Sequence, residues 1–254
     1  MEHRDVARQL RAAGCVFAEA EASVLLTATD EGAGDLASLL ARRCAGEPLE
    51  QVVGWAEVAG VRVGVDPGVF VPRRRTELLI DQAAHLVVAG GIVVDLCCGS
   101  GIIGAALLRR EPRITLYAID IDPTAVQTAR RNLPTATVSE GDLFGALPPR
   151  LQGGIDLAVA SPPYVPTAAL RTLPAEARDH EPQVALDGGP DGLTVIRRLA
   201  ATAPGWLRPG GQLLVETSAP QLPAAAAALE GHGFGVRSVT ADGLGAAVAI
   251  ATAC

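Results

Sequence analysis

The sequence predicts an α/β protein built on a doubly wound, mostly parallel sheet. After Glu77, short apolar runs that suit buried strands alternate with segments of helical periodicity. A glycine-rich segment joins the first of these strands to the first helix, as in doubly wound sheets that bind nucleotides. Hydrophobic residues make up 49% of the 254 residues, which is enough to bury such a core. Ligands of these sheets bind beyond the carboxyl ends of the strands, so the chemistry is expected there.

The chain before this region divides into two predicted parts. Residues 1–45 carry apolar side chains at helical spacing and predict a small N-terminal helical domain. Within residues 46–72, the stretch 61–65 alternates as a half-buried strand does, and Gly60 precedes it. This part therefore predicts a β-hairpin connector, and residues 73–254 form the predicted domain that carries the sheet.

The predicted elements of the sheet domain follow one another in a regular order. Strands are predicted at residues 92–96, 114–119, 155–160, 211–216, 236–239 and 246–251, with a further short strand before Glu140. Helices are predicted at residues 102–110, 123–132, 193–203 and 223–230. Pro123 suits the first position of its helix, and Asp122 before it suits the N-cap.

Composition argues against several classes of function. The formal net charge is −7, which argues against a general nucleic-acid binder. All 21 basic residues are arginines, so mechanisms that need a lysine Schiff base, a P-loop lysine or a lysine general base are excluded. The five cysteines lack zinc-ligand spacing, and the charged start of the chain lacks the pattern of a signal peptide. We therefore expect a reduced, cytoplasmic protein without a metal site.

A glycine-rich loop follows the strand predicted at 92–96. Gly99, Gly101 and Gly104 fit the pattern G-x-G-x-x-G, and Asp120 ends the next strand at the distance expected of a ribose-binding acid. Two ligands compete for such a loop, a dinucleotide and S-adenosylmethionine. Asp95 favours S-adenosylmethionine, because its carboxylate can hold the ammonium of the methionine part and would repel a pyrophosphate. The structural alternatives are a helix-capping role for Asp95 and a solvated strand end for Asp120.

Asp142 and Leu143 follow the short third strand of the predicted sheet. An acid at this place suits the exocyclic amine of adenine, and the leucine side chain can lie against the ring. A turn built on Gly141 and Asp142 explains the same residues without a ligand.

The segment Ser161-Pro162-Pro163-Tyr164 directly follows the strand predicted at 155–160. Proline has no N–H, so nearby carbonyl groups stay available as acceptors, and Ser161 adds a polar side chain. Together they can hold an –NH2 group with its lone pair directed at a methyl donor, while Tyr164 stacks on a planar amide or base. Because an amide nitrogen is a poor nucleophile, placement becomes the main catalytic effect, worth up to about 7–11 kcal/mol. The alternative is a proline-rich turn without a catalytic role.

Together these residues resemble the HemK/PrmC-type protein-(glutamine-N(5)) methyltransferases over about residues 46–254. Beyond the glycine loop, Asp120, Asp142 and the tetrad, the resemblance rests on residues 46–54, 71–77, 181–193 and 214–216. It implies a class I methyltransferase fold with seven strands, an N-terminal docking domain, and methyl transfer from S-adenosylmethionine to a glutamine of a protein, such as a translation factor or ribosomal protein. The catalytic residues that it implies are Ser161, Pro162 and Tyr164. Those that it implies for the cofactor are Asp95, Cys97, Gly99, Gly101, Asp120, Ile121, Asp142, Leu143 and Ser161.

The chain departs from the family pattern at two places that bear on the substrate. The family tetrad begins with asparagine, whereas this chain has Ser161, whose shorter side chain ends in a hydroxyl that can still accept from an –NH2 group. The usual acid before Thr76 is Arg75 here, which completes a run of three arginines from Arg73. That run is either a solvated turn or a site that recognises an anion.

Other functions stay open at this level. Certain DNA cytosine amino-methyltransferases share the tetrad Ser-Pro-Pro-Tyr, although the acidic net charge and the lack of a recognition domain argue against a nucleic-acid substrate. A small-molecule N-methyltransferase, a non-catalytic cofactor-binding scaffold and a dinucleotide-dependent oxidoreductase are the further alternatives.

Overall fold

A computed structural model describes residues 1–241, 243 and 245–254 of the chain. The N-terminal part consists of four helices, α1 at His3–Ala12, α2 at Ala18–Asp30, α3 at Leu36–Cys44 and α4 at Leu49–Val53. Their apolar faces pack on one another around the fully buried side chains of Leu10 and Leu25. Asp35 caps α3 by accepting a hydrogen bond from the Ser38 N–H at 3.0 Å.

A β-hairpin follows the helices. Strand β1 at Trp55–Val58 pairs antiparallel with β2 at Val61–Gly64, as the alternation of residues 61–65 predicts. The side chain of Asn132 joins this hairpin to the glycine-rich loop. Its Oδ1 accepts from the Gly64 N–H at 2.9 Å, and its Nδ2 donates to the carbonyls of Gly64 and Ser100 at 2.8 Å.

The main sheet confirms the predicted doubly wound, mostly parallel architecture. Its seven strands are β3 at Ile92–Leu96, β4 at Thr115–Asp120, β5 at Thr137–Glu140, β6 at Ile155–Ala160, β7 at Leu207–Ser218, β8 at Gly235–Ala241 and β9 at Ala246–Thr252. They lie in the order β5-β4-β3-β6-β7-β9-β8, and β9 pairs antiparallel with both of its neighbours. Strand β7 begins earlier than predicted, because it continues through Pro209 and Gly210, and a register shift on β6 accommodates the extra length.

Helices cover both faces of this sheet. They are α5 at Thr76–Ala84, α6 at Ile102–Arg110, α7 at Pro123–Asn132, α9 at Thr194–Thr202 and α10 at Leu222–Glu230. The short helix α8, at Ala175–His180 in the segment between β6 and α9, has no buried residue. Leu79 and Leu107 lie in the core on one face, and Ile196 and Leu229 lie in the core on the other. The sequence pattern did not predict α5 or α8, which are short and begin without a side-chain cap. Within the described residues, the chain has no helix long and apolar enough to cross a membrane.

Candidate active site

The loop between β3 and α6 has a backbone conformation that residues other than glycine rarely adopt. Cys97, Gly99 and Gly101 lie at φ of 55°, 54° and 82°. A Cβ on Gly101 would stand 2.7 Å from Cδ1 of Leu133, which follows α7, so the start of α6 packs too closely for a side chain. A Cβ on Gly99 would meet no atom within 4 Å, and this residue lines the cavity beside the loop. The loop therefore offers bare backbone to a ligand.

Asp95, near the end of β3, is fully buried. Its Oδ2 accepts a hydrogen bond at 2.9 Å from the N–H of Gly104, in the first turn of α6. Its Oδ1 has no hydrogen-bond partner among the described residues. Burial raises the pKa of Asp95 to about 7, and the nearby charge of Asp120 adds to the rise. Asp95 thus stabilises the start of α6 and leaves one buried acceptor oxygen without a partner among the described residues.

Asp120 ends β4 with both carboxylate oxygens hydrogen-bonded to backbone. Oδ2 accepts from the Gly99 N–H at 2.8 Å, and Oδ1 accepts from the Asp122 N–H at 2.9 Å. Burial raises the pKa of Asp120, so this acid is not a solvated strand end. Ile121 after it is 52% exposed and lines the same cavity, which is unusual for a large apolar side chain. Asp122 caps α7 by accepting from the Thr124 N–H at 2.8 Å, as predicted.

Asp142 and Leu143 line the cavity from the end of β5. Asp142 forms an ion pair with Arg198 of α9, a residue that the sequence did not place near the site. Leu143 has a φ of 50°, in the left-handed region that a branched side chain rarely occupies. Such backbone strain persists where the surrounding structure fixes it, often beside a ligand.

The loop and the strand ends enclose a cavity of about 590 Å³, a typical volume for a small-molecule site. Seven of the nine residues predicted for the cofactor line it, Cys97, Gly99, Asp120, Ile121, Asp142, Leu143 and Ser161. The walls combine apolar side chains with three carboxylates, those of Asp120, Asp142 and Asp187. Oδ1 of Asp95, which lies in the chain just before the loop, is buried without a partner among the described residues. These groups fit S-adenosylmethionine, which has a planar base, a ribose and an ammonium. They fit a pyrophosphate less well, because carboxylates would repel it.

Ser161 and Tyr164 meet at one buried carboxylate. The Ser161 hydroxyl donates to Oε2 of Glu216 at 3.3 Å, and the Tyr164 hydroxyl donates to Oε1 at 3.3 Å. Glu216 lies on β7 and is 2% exposed. Burial raises the pKa of Glu216, and burial together with the Glu216 charge raises the pKa of Tyr164. Sequence reasoning gave Glu216 no role in the site, although an acid in an apolar strand was a signal for one.

A second cavity, of about 340 Å³, lies on the other side of this tetrad. The residues that line both cavities are Phe70, Ser161, Pro163 and Ala185. Pro162 and Tyr164 line the second cavity but not the first. The tetrad therefore stands at the wall where the two cavities meet.

Two of the three consecutive arginines line the second cavity and do not form a solvated turn. Arg73 donates to both carboxylate oxygens of Glu181 at 2.5 and 2.6 Å, and the Glu181 side chain is 1% exposed. Arg75 lies over the ring of Tyr164, 5.7 Å from its centroid. Arg74 is exposed, so the solvated-turn interpretation holds for that residue.

The chain matches known proteins over most of its length. The family model described as Methyltransferase small domain matches residues 60–177. A release factor glutamine methyltransferase of Streptomyces coelicolor is 42% identical over 184 residues, 70% of this chain and 65% of that protein. One of Moorella thermoacetica is 38% identical over 198 residues, 74% of this chain and 68% of that protein. A 4-amino-L-phenylalanine/4-methylamino-L-phenylalanine methyltransferase of Streptomyces pristinaespiralis is 40% identical over 190 residues, 71% of this chain and 64% of that protein.

The fold also matches a solved structure, that of a ribosomal protein L11 methylase from Lactobacillus delbrueckii subsp. bulgaricus. The TM-score is 0.55 at 18% identity, with 75% of this chain and 84% of that chain covered. The chain spans 65% of the length of the Streptomyces coelicolor relative. The relative of Moorella thermoacetica, at 38% identity and with 68% of its length covered by this chain, establishes the family. The chain therefore belongs to the family of release factor glutamine methyltransferases, as the resemblance of its motifs predicted.

Proposed function

We propose that this chain transfers a methyl group from S-adenosylmethionine to the side-chain amide nitrogen of a glutamine in a protein, within the cytoplasm. The observation that carries the proposal is the position of Ser161 and Pro163, which line both cavities. In this proposal the larger cavity, beside the glycine-rich loop, is the cofactor cavity, and the second cavity, beside Tyr164, is the acceptor cavity. The family supports it, since its named members act on glutamine of release factors.

The cofactor residues have distinct roles in this proposal. S-adenosylmethionine supplies a methyl group on a positively charged sulfur. Asp95 holds the ammonium through its free oxygen, directly or through a water, and Asp120 holds the ribose hydroxyls while it fixes Gly99. Asp142 accepts a hydrogen bond from the adenine amine, and the apolar side chains of Ile121 and Leu143 cover the adenine ring. Cys97 and Gly101 give the loop its backbone conformation.

The tetrad orients the acceptor nitrogen. The Ser161 hydroxyl and the Pro162 carbonyl accept hydrogen bonds from the two N–H groups of the amide, and the ring of Tyr164 lies against the plane of the amide. An amide nitrogen has a delocalised lone pair, so alignment with the methyl group contributes most of the rate. Once the methyl group has been transferred, the amide nitrogen loses its extra proton to solvent.

The experiment uses the purified chain, S-adenosylmethionine and release factors of the same organism as acceptors. We expect formation of S-adenosylhomocysteine and a mass increase of one methylene on a glutamine, located by peptide mass spectrometry. Tyr164→Ala should abolish both signals while it leaves the affinity for S-adenosylmethionine unchanged. Methylation confined to nucleic acid, or cofactor binding without turnover on any protein, would overturn the proposal.

A second candidate acceptor is the arylamine of a small amino acid. The observation that favours it is Arg75, which lines an acceptor cavity of about 340 Å³ beside Tyr164 and can pair with a carboxylate. A relative that is 40% identical is named for 4-amino-L-phenylalanine. Turnover of 4-amino-L-phenylalanine, with a KM that rises in Arg75→Gln, would favour this acceptor over glutamine.

A further inference from the structure

Glu216 is a buried acid at the centre of the proposed active site. It is 2% exposed, and two hydroxyl groups of the tetrad donate to its two oxygens, those of Ser161 and Tyr164. Burying a carboxylate costs free energy unless hydrogen bonds and a positive charge compensate for it. The positive charge of the Arg75 guanidinium stabilises the Glu216 carboxylate. An apolar residue at this buried position would need no such compensation.

The direction of the Ser161 hydroxyl matters for the proposed reaction. A serine hydroxyl is both a donor and an acceptor, and it rotates to suit its partners. If its hydrogen pointed at the acceptor nitrogen, it would occupy the lone pair that must attack the methyl group. A carboxamide oxygen, as in asparagine, has lone pairs alone and does not present this conflict.

We propose that Glu216 is a positioning residue, which takes the hydroxyl hydrogen of Ser161 and so leaves the Oγ lone pairs to accept an N–H of the methyl acceptor. The inference rests on the proposed function, because it assumes an –NH2 acceptor at Ser161. The second oxygen of Glu216 takes the hydroxyl hydrogen of Tyr164 in the same way, which fixes the ring and directs its hydrogen away from the nitrogen.

The proposal predicts energetic coupling between residues 161 and 216. In Glu216→Gln the amide can donate to Oγ, and kcat should fall about 10- to 100-fold, as expected when a charged hydrogen bond is lost. In a Ser161→Asn background the same substitution should cost less than about threefold, because the acceptor oxygen of asparagine carries no hydrogen that Glu216 has to take up. The affinity for S-adenosylmethionine, measured by calorimetry, should not change on Glu216→Gln in either background, because Glu216 does not line the cofactor cavity.

Thr217→Val is the matched control. Thr217 is the next residue of β7, is fully buried, and has a hydroxyl without a hydrogen-bond partner in the described part of the chain. The substitution keeps shape and burial but removes a polar group, so kcat should not change. An equal loss of kcat for Glu216→Gln in the wild-type and Ser161→Asn backgrounds would overturn the proposal, since it would show a structural role alone.

A pH profile tests the proposal without any change at position 216. The groups that face the Glu216 carboxylate are the Arg75 guanidinium, the Tyr164 phenol and the Ser161 and Thr76 hydroxyls. Protonated Glu216 can no longer serve as an acceptor for both hydroxyls, so kcat should fall as the pH drops toward the raised pKa of this acid. That acid limb should lie above the ordinary value of 4.5 and should weaken in Ser161→Asn. An identical limb in both proteins would contradict the proposal.

A spectroscopic readout separates this proposal from the proposed function. 3-Fluorotyrosine replaces Tyr164 in a Tyr117→Phe background, and fluorine NMR follows ionisation of the phenol. The phenol should ionise at a lower pH in Glu216→Gln, because the carboxylate charge that opposes the phenolate is gone. An unchanged titration overturns the role of Glu216 even in an active enzyme. Absence of methylation on every acceptor contradicts the proposed function instead, and the fluorine titration still tests the Glu216 contact.

Discussion

Gly101 offers a sharp test of why the glycine-rich loop has its sequence. In Gly101→Ala, the backbone stays at a φ of 82°, where an alanine costs about 1–2 kcal/mol. The new Cβ would also stand 2.7 Å from Leu133 Cδ1 and 3.5 Å from Ala129 Cβ, and such overpacking costs about 1–3 kcal/mol. We therefore expect the free energy of unfolding to fall by about 2–5 kcal/mol, measured by urea denaturation with circular dichroism.

Gly90→Ala is the matched control for the backbone part of this loss. Gly90 has a φ of 77°, and a Cβ there would meet no atom within 4 Å, so the control should lose about 1–2 kcal/mol. In a Leu133→Ala background the extra loss at Gly101 should disappear, because the clashing methyl group is gone. Equal destabilisation by Gly101→Ala and Gly90→Ala would refute the packing argument.

Three further predictions concern Asp95, Arg73 and Asn132. The raised pKa of Asp95 means that the folded protein holds its proton more strongly than the unfolded chain, so this group stabilises the fold below pH 3.8 and loses that effect as the pH rises through about 7. The stability of Asp95→Asn relative to the wild type should therefore rise by roughly 2–4 kcal/mol between pH 4 and 8, and a difference independent of pH would contradict this. Arg73→Gln should cost about 3 kcal/mol in urea unfolding because it leaves the Glu181 carboxylate buried without its partner, whereas Arg8→Gln at an exposed pair should cost less than about 1 kcal/mol. Asn132→Ala should cost about 2–3 kcal/mol, because the side chain loses two hydrogen bonds to Gly64 of the hairpin and one to Ser100 of the loop, and a thermal midpoint equal to that of the wild type would refute it.

Most of the sheet could be predicted because each strand, turn and helix start is encoded within a few residues. Strands β3 and β6 and helices α6 and α7 lie at the predicted residues. Turn chemistry and hydrophobic period act at this short range, and proline at the start of α7 is one such signal. Helix α5 could not be predicted in this way, since its short apolar stripe becomes a helix through packing on the sheet.

The sequence by itself determined which chemical groups stand at the strand ends. Asp95 lies one residue before the end of β3, Asp120 ends β4 and Ser161 follows β6. The alternation of strands and helices requires parallel strands, which present those ends at one edge of the sheet. The cofactor cavity follows from this local order, because the carboxyl ends of β3, β4 and β5 are neighbours in the sheet.

The tertiary structure decided which of these groups touch one another. Glu216 is 55 residues from Ser161 in the chain, and Glu181 is 108 residues from Arg73, yet both pairs are in hydrogen-bond contact. Such contacts depend on the folded structure, in which β7 pairs with β6 and the segment after the tetrad lies beside Arg73 and Arg75. Local patterns carry no information on those distances, because the free energy of a long-range contact is realised when the whole core has packed.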